Sequence, residues 1–219
     1  MTKIDTVLFD FDGTIMNTNK VIINSWQHTF KIIEGKEGSE EEILKTFGEP
    51  LEITMARFFP EMPVQEAVRI YRSYHYDNFE SMIELFSGMR ELLTELKDRD
   101  FKTGIVTSRL RNTTEQGLEK FDIKDYFDII VAYDDTAEKK PDPEPINIAL
   151  EKLGSKPETS LMLGDTRFDM GCARNAGVVP VLADWAAAKG YGEVSGMIQP
   201  DYILETPDNL FAIIDDIEW

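Results

Sequence analysis

Thr6-Val7-Leu8-Phe9-Asp10-Phe11-Asp12-Gly13-Thr14 is the stretch on which the fold turns. With Ile4 before it, a short β-branched and aromatic run is cut off by Asp and Gly, the pattern of a buried strand that ends in a tight turn. Both carboxylates then stand at the strand's carboxyl end, where open α/β sheets place their chemistry. Residues two apart on an extended segment point the same way, so Asp10 and Asp12 face one small volume, and Gly13 allows a turn that other residues resist. Carboxylates held that close repel and raise one pKa unless a cation sits beside them. The motif therefore implies a divalent metal or a shared proton. Its bland alternative is a solvated acidic turn on an N-terminal strand.

The rest of the composition bounds the answer. A chain of 219 residues, 42% hydrophobic and 29% charged, fits an ordinary soluble globular protein with one large domain or a core plus a smaller insert. The formal net charge of −18 argues against nucleic acid and anionic membrane surfaces as partners, since neither gains counterion release or attraction from it. No apolar run approaches the roughly 20 residues of a membrane span, and no basic segment leads into an apolar stretch and cleavage site, so a cytoplasmic location is expected. Cys172 is the only cysteine, which excludes an intrachain disulfide and a Cys-based zinc cluster.

After Thr14 the next strand-like run is Thr103-Gly104-Ile105-Val106-Thr107. Between them, Val21, Ile22, Ile23, Trp26, Phe30 and Ile33 recur at helical spacing, followed by Ile43, Leu44 and Phe47 and a long helical segment from Val64 to Leu85. Residues 16–84 are expected to form an all-helical cap inserted into a core of residues 1–15 and 85–219, because the stretch is far longer than a usual loop. From Ser87 onward helix and strand alternate: strands at 103–107, 127–131, 160–164 and 178–182, helices through Leu96, through Leu118, from Glu144 to Leu153 and up to Ala176, then a last strand at Tyr202-Ile203-Leu204 and a closing helix from about Pro207. Such alternation predicts right-handed crossovers and a Rossmann-like parallel α/β sheet covered on both faces.

In a parallel sheet all strand carboxyl ends share one edge, so groups scattered along the chain converge. Asp10 and Asp12 follow the first strand, Thr107 and Ser108 the second, Lys139 and Lys140 lie in the loop after the third, and Asp165 and Asp169 follow the fourth. Each type fits a step of phosphoryl transfer. Asp10 can attack phosphorus as a nucleophile. Asp12 can protonate the leaving oxygen and later activate water. Asp165, with a carboxylate of Asp10 and a backbone carbonyl near Asp12, offers the hard oxygen ligands that Mg²⁺ prefers, and Asp169 joins this acidic set or orients water or Lys140. Thr107 and nearby N–H groups can hold phosphoryl oxygens, and Lys140 adds positive charge where the transition state needs it. Arg109, two residues past Thr107, is the best-placed basic group to help draw a phosphate anion to a chain of this net charge. Taken singly, Thr107 reads as a helix cap, Lys140 as a solvated lysine, Asp165 as an N-cap and Arg109 as an exposed arginine at a helix start. His28 and His75 lie among aromatic residues and read as packing or surface histidines, Cys172 as a small buried hydrophobe, and Trp185 as a residue that edges the site or packs.

Asp10-Phe11-Asp12-Gly13-Thr14, Ile105-Val106-Thr107-Ser108, Lys140-Pro141-Asp142-Pro143 and Leu163-Gly164-Asp165-Thr166-Arg167-Phe168-Asp169 resemble the four motifs of the haloacid dehalogenase-like phosphatases. The resemblance covers nearly the whole chain, including the cap, and within the superfamily it is nearest to the phosphoglycolate phosphatase and bacterial pyrophosphatase branch. It implies a Mg²⁺-dependent enzyme acting on a small phosphorylated metabolite as a monomer or homodimer. The sequence departs from the pattern at Asn17-Thr18, where an acidic residue and Ser are more usual, and at Glu49 in the cap loop Gly48-Glu49-Pro50. Two other readings share these residue types. A sugar-phosphate mutase of the β-phosphoglucomutase kind needs a cationic cluster in the cap, but Lys20, Lys45, Arg57, Arg69 and Arg72 are dispersed. A phosphorylatable signalling receiver is expected to be a much shorter chain with its acceptor Asp in the middle.

Overall fold

Every residue of Thr6–Phe9 is buried, as a strand at the centre of a sheet covered on both faces requires. The computed structural model describes residues 3–186 and 199–217, so part of the expected core segment 85–219 lies outside the described residues. In chain order the elements are β1 (Thr6–Phe9), β2 (Met16–Asn17), α1 (Asn19–Glu34), α2 (Glu40–Leu44), α3 (Leu51–Phe58), α4 (Val64–Met82), β3 (Glu84–Leu85), α5 (Met89–Asp98), β4 (Lys102–Val106), α6 (Arg111–Lys120), β5 (Ile129–Val131), α7 (Glu144–Leu153), β6 (Ser160–Gly164), α8 (Arg167–Ala176), β7 (Val179–Ala183), β8 (Tyr202–Leu204) and α9 (Leu210–Asp216).

Six strands form one sheet in the order β5-β4-β1-β6-β7-β8, and every neighbouring pair is parallel. The chain winds outward from β1 through β4 to β5, crosses back to β6, and winds outward again to β7 and β8. Its direction thus reverses beside β1, and the register sets Phe9 between Ile105 of β4 and Leu163 of β6. The residues that follow β1, β4 and β6 are neighbours at one edge, the position where such sheets carry ligands. Leu8, Val106, Val131 and Met162 from the strands pack with Ile146, Leu150 and Cys172 from α7 and α8 into one apolar layer.

By compactness the chain divides into two units, Met1–Asn17 with Leu85–Trp219, and Thr18–Glu84. The second unit has its own core, in which Trp26, Phe30, Ile43, Met55, Phe59 and Tyr71 from α1 to α4 and their connections are buried together. Among the described residues no helix is long and apolar enough to cross a membrane.

Several boundaries differ from the sequence reading, among them the strand expected at 103–107, which runs Lys102–Val106. The long helix stops at Met82, and the Glu84–Leu85 segment pairs with Met16–Asn17 as a two-stranded ribbon. The strand expected from Phe127 begins at Ile129, after Lys124–Tyr126 turns as a short 3₁₀ helix. The strand expected from Val178 begins at Val179, because the Val178 N–H donates to the Ala173 carbonyl (2.9 Å) and closes α8 behind Gly177, whose φ is 74°.

Candidate active site

Lys140 is the pivot of the carboxyl edge. Its ammonium is buried and donates to Asp10 Oδ1 (2.8 Å), Asp169 Oδ1 (2.5 Å) and the Val106 carbonyl (3.1 Å), so all three N–H groups are spent. Burial alone would lower its pKa, but the Asp10 and Asp169 carboxylates outweigh that and raise it, which keeps the ammonium charged. Of the two adjacent lysines only Lys140 faces this edge. Lys139 bonds to the carbonyls of Tyr133 (2.6 Å) and Thr136, and so braces its own loop.

Asp169 is fully buried at the third position of α8. Thr166 caps the helix and donates to Asp169 Oδ2 through its N–H (3.0 Å) and hydroxyl (2.5 Å), a capping box that leaves the other oxygen for Lys140. Both Asp169 oxygens are therefore engaged by protein donors. Asp165 differs. The cap is supplied by Thr166, and Asp165 Oδ1 is a buried oxygen with no hydrogen-bond partner. Gly13 comes close beneath it: its φ is +75°, and a Cβ there would stand 2.1 Å from Asp165 Oδ2.

One oxygen from each of Asp10, Asp165 and Asp169 lies within 4.8 Å of the others. Among the described residues, the cluster with Asp12 holds four carboxylates against two cations, Lys140 and Arg109. With all four ionised it is two negative charges in excess, which is the charge of one divalent cation. Burial pushes the Asp10 carboxyl up to about 7, helped by Asp169 and Asp12 and opposed by Lys140. Burial likewise raises Asp165 well above the usual carboxylate range, with Asp169 and Asp10 adding to it. An orphan buried carboxylate oxygen inside an all-oxygen donor set suits a hard divalent cation.

Asp12 is half-buried and turned toward Arg109. The guanidinium grips it as a fork, Nε to Oδ2 at 2.9 Å and to Oδ1 at 3.2 Å, and Nη2 to Oδ1 at 2.7 Å. The exposed arginine at a helix start is thereby excluded: Arg109 is buried, and Leu110 caps α6. Thr107 is buried at the end of β4, and its hydroxyl accepts the Arg109 N–H (3.2 Å) instead of capping a helix. Ser108, between them, is half-buried. Trp185 donates its indole N–H to the Thr14 carbonyl (3.0 Å) and thus braces the turn that carries Asp12.

Other candidates have contacts of their own. His75 is buried in the helical unit between Tyr71 and Phe79, and His28 stacks on Tyr74 with centroids 4.7 Å apart. Glu49 accepts a fork from Arg57 (3.0 and 2.7 Å) and the Thr54 hydroxyl (2.7 Å). The Cys172 thiol donates to the Asp142 carbonyl, and burial pushes it up to about 12, too high for a thiolate at neutral pH. Three supporting residues escaped the sequence reading: Thr166, Gly164, where a Cβ would come 2.4 Å from that of Asp169, and Trp185 as a brace. Of these, Thr166 had a readable signal, since Thr-x-x-Asp ahead of a helix is a capping-box pattern.

The haloacid dehalogenase-like hydrolase profile matches residues 7–183. The chain is 36% identical over 215 residues to the pyrophosphatase PpaX of Bacillus cereus (strain AH820), covering 98% of each. Among solved structures, a haloacid dehalogenase-like family hydrolase of Streptococcus pneumoniae is similar at a TM-score of 0.85 and 31% identity, with 97% of this chain and 99% of that one covered. A candidate phosphoglycolate phosphatase of Lactobacillus plantarum is similar at 0.82 and 27%, covering 97% and 100%.

Proposed function

The chain belongs to the haloacid dehalogenase-like hydrolase family and is a phosphatase within it, and from that premise we propose that it hydrolyses a small phosphomonoester or pyrophosphate through an aspartyl phosphate on Asp10. A carboxylate oxygen of Asp10 attacks phosphorus, the bond to the leaving oxygen breaks, and Asp12 gives that oxygen its proton. Water then attacks the phosphorus and yields a proton to Asp12. The phosphorus–Asp10 bond breaks, and phosphate leaves. Lys140, fixed by Asp169, holds the attacking Asp10 carboxylate and places positive charge beside the phosphoryl group, and the Thr107 hydroxyl can donate to a phosphoryl oxygen. Asp10, Asp165 and the Asp12 backbone carbonyl would hold Mg²⁺, which when bound neutralises charge on the phosphoryl group.

The observation that carries this reading is the buried, partnerless Asp165 Oδ1 beside Asp10 in a cluster two charges short of neutrality. The mutase alternative gains no support from the helical unit, where Lys45, Arg57 and Arg72 are paired with Glu41, Glu49 and Glu52. Hydrolysis of phosphoglycolate, pyrophosphate and hexose phosphates should be followed with Mg²⁺ and with chelator. Asp10→Asn is expected to lose about a thousandfold or more in kcat and to trap no phosphoryl group. Activity within about tenfold of wild type would remove Asp10 from the nucleophile's role.

A further inference from the structure

The Arg109–Asp12 pair presents a difficulty that leads further. Both Asp12 oxygens accept from one guanidinium, a group with no acceptor, so a carboxyl that is to hand a proton to a leaving oxygen has to turn its protonated oxygen out of the fork. For Asp12 to move a proton, the fork has to open. The rest of Arg109 is not able to move with it: its N–H is held on Thr107 Oγ1 (3.2 Å), and its carbonyl accepts the Tyr133 N–H (2.9 Å). Only the side-chain head can swing. The pair is also lopsided, with the arginine side chain 7% exposed and the aspartate 27%, so an arriving molecule meets the pair from the Asp12 side.

We infer that Arg109 is a specificity latch: it holds Asp12 until a second anionic group on the substrate takes over the guanidinium and releases the carboxyl for proton transfer. The inference rests on the phosphatase reading above and deepens it by naming the substrate class, a phosphoryl compound with a carboxylate or phosphate beyond the scissile bond. A planar fork exchanges one oxyanion pair for another with little change in geometry, so such a tail can replace Asp12. A neutral tail offers nothing in exchange and leaves Asp12 held. Arg109 is thereby a positioning residue that reads charge twice, once in affinity and once in the freedom of Asp12.

This distinguishes the latch from a structural ion pair and from a simple anion site. With Mg²⁺ present, wild type, Arg109→Ala and Arg109→Lys should be compared on phosphoglycolate and on ethyl phosphate, similar in size but with an uncharged tail. For Arg109→Ala, kcat/KM on phosphoglycolate is expected to fall roughly ten- to a hundredfold, the worth of charged hydrogen bonds. On ethyl phosphate kcat should rise about two- to tenfold, since the hold on Asp12 is gone. Arg109→Lys keeps a cation without the fork and should fall between. It decides the question by the same comparison if thermal melting shows the alanine variant unfolded. Equal losses on both substrates would make the pair structural and overturn the latch, and equal gains would mean that it restrains Asp12 without reading the substrate, which overturns it too. A wild type inert on every phosphoryl compound, and indistinguishable from Asp10→Asn, would refute the phosphatase reading and the latch with it. A wild type active through Asp10 whose substrate ratio Arg109 does not move refutes the latch alone.

Discussion

At the scale of single residues the site is an electrostatic imbalance waiting for a cation, and that has a measurable pH signature. Asp10 has a folded-state pKa of about 7 against an ordinary carboxylate value near 3.8, and Asp165 shifts the same way. A raised carboxylate favours the folded protein while it stays protonated, so that contribution is present below the unfolded value and lost as pH rises through about 7. The metal-free protein should therefore melt lower at pH 8 than at pH 5. Mg²⁺, binding the ionised cluster, should recover more stability at pH 8 than at pH 5, by at least about 4 °C in Tm. Thermal unfolding with Mg²⁺ and with chelator at both pH values tests this, and Asp165→Asn should flatten the difference. A Mg²⁺ effect independent of pH would show that these carboxyls are not what the ion meets. Residue types and strand-end positions were legible in the sequence because strands of one parallel sheet must end together. Lys140 was singled out over Lys139 by its place at the head of Lys140-Pro141-Asp142-Pro143, but the Asp12–Arg109 pair was not legible, since nothing local ties two residues 97 positions apart.

Among the elements, the turn after β1 is the one on which the site's spacing depends. Gly13 holds φ at +75°, and its missing Cβ is the room that Asp165 occupies. Gly13→Ala combines backbone strain with a clash against a carboxylate, and should cost about 2 to 5 kcal/mol in urea unfolding while pushing Asp165 out of place. An alanine variant within about 0.5 kcal/mol of wild type would show that the turn yields cheaply. The same scale explains where element boundaries were readable. Helices α1 and α4 carry apolar residues at 3.6-residue spacing over four turns or more, and α7 and α8 stand between clear strand runs. The ribbon of β2 and β3 has two residues in each strand, too few for any period to emerge, so the long helical pattern ran over its end. The start of β7 slipped by one residue because Val178 suits a strand by type but is spent closing α8.

For the molecule as a whole, the open question is how a protein of net charge −18 receives an anion. Both cations of the site are already committed to carboxylates, Lys140 to Asp10 and Asp169, and Arg109 to Asp12. Neither projects a bare positive field outward, and even a bound divalent ion does no more than bring the cluster to neutrality. The field met by an approaching phosphate is thus set by the surplus acidic groups of the whole chain and is repulsive. Such long-range repulsion is screened by salt, with a Debye length of about 10 Å at 0.1 M, whereas the short hydrogen bonds of the bound state are screened far less. Raising KCl from about 20 to about 200 mM at fixed free Mg²⁺ should therefore increase kcat/KM roughly two- to tenfold, mainly through KM. The slope should be steeper for pyrophosphate than for ethyl phosphate, because the substrate carrying more charge is repelled more strongly. A fall in kcat/KM with salt would mean the opposite, that the cations of the site steer the substrate and outweigh the chain around them.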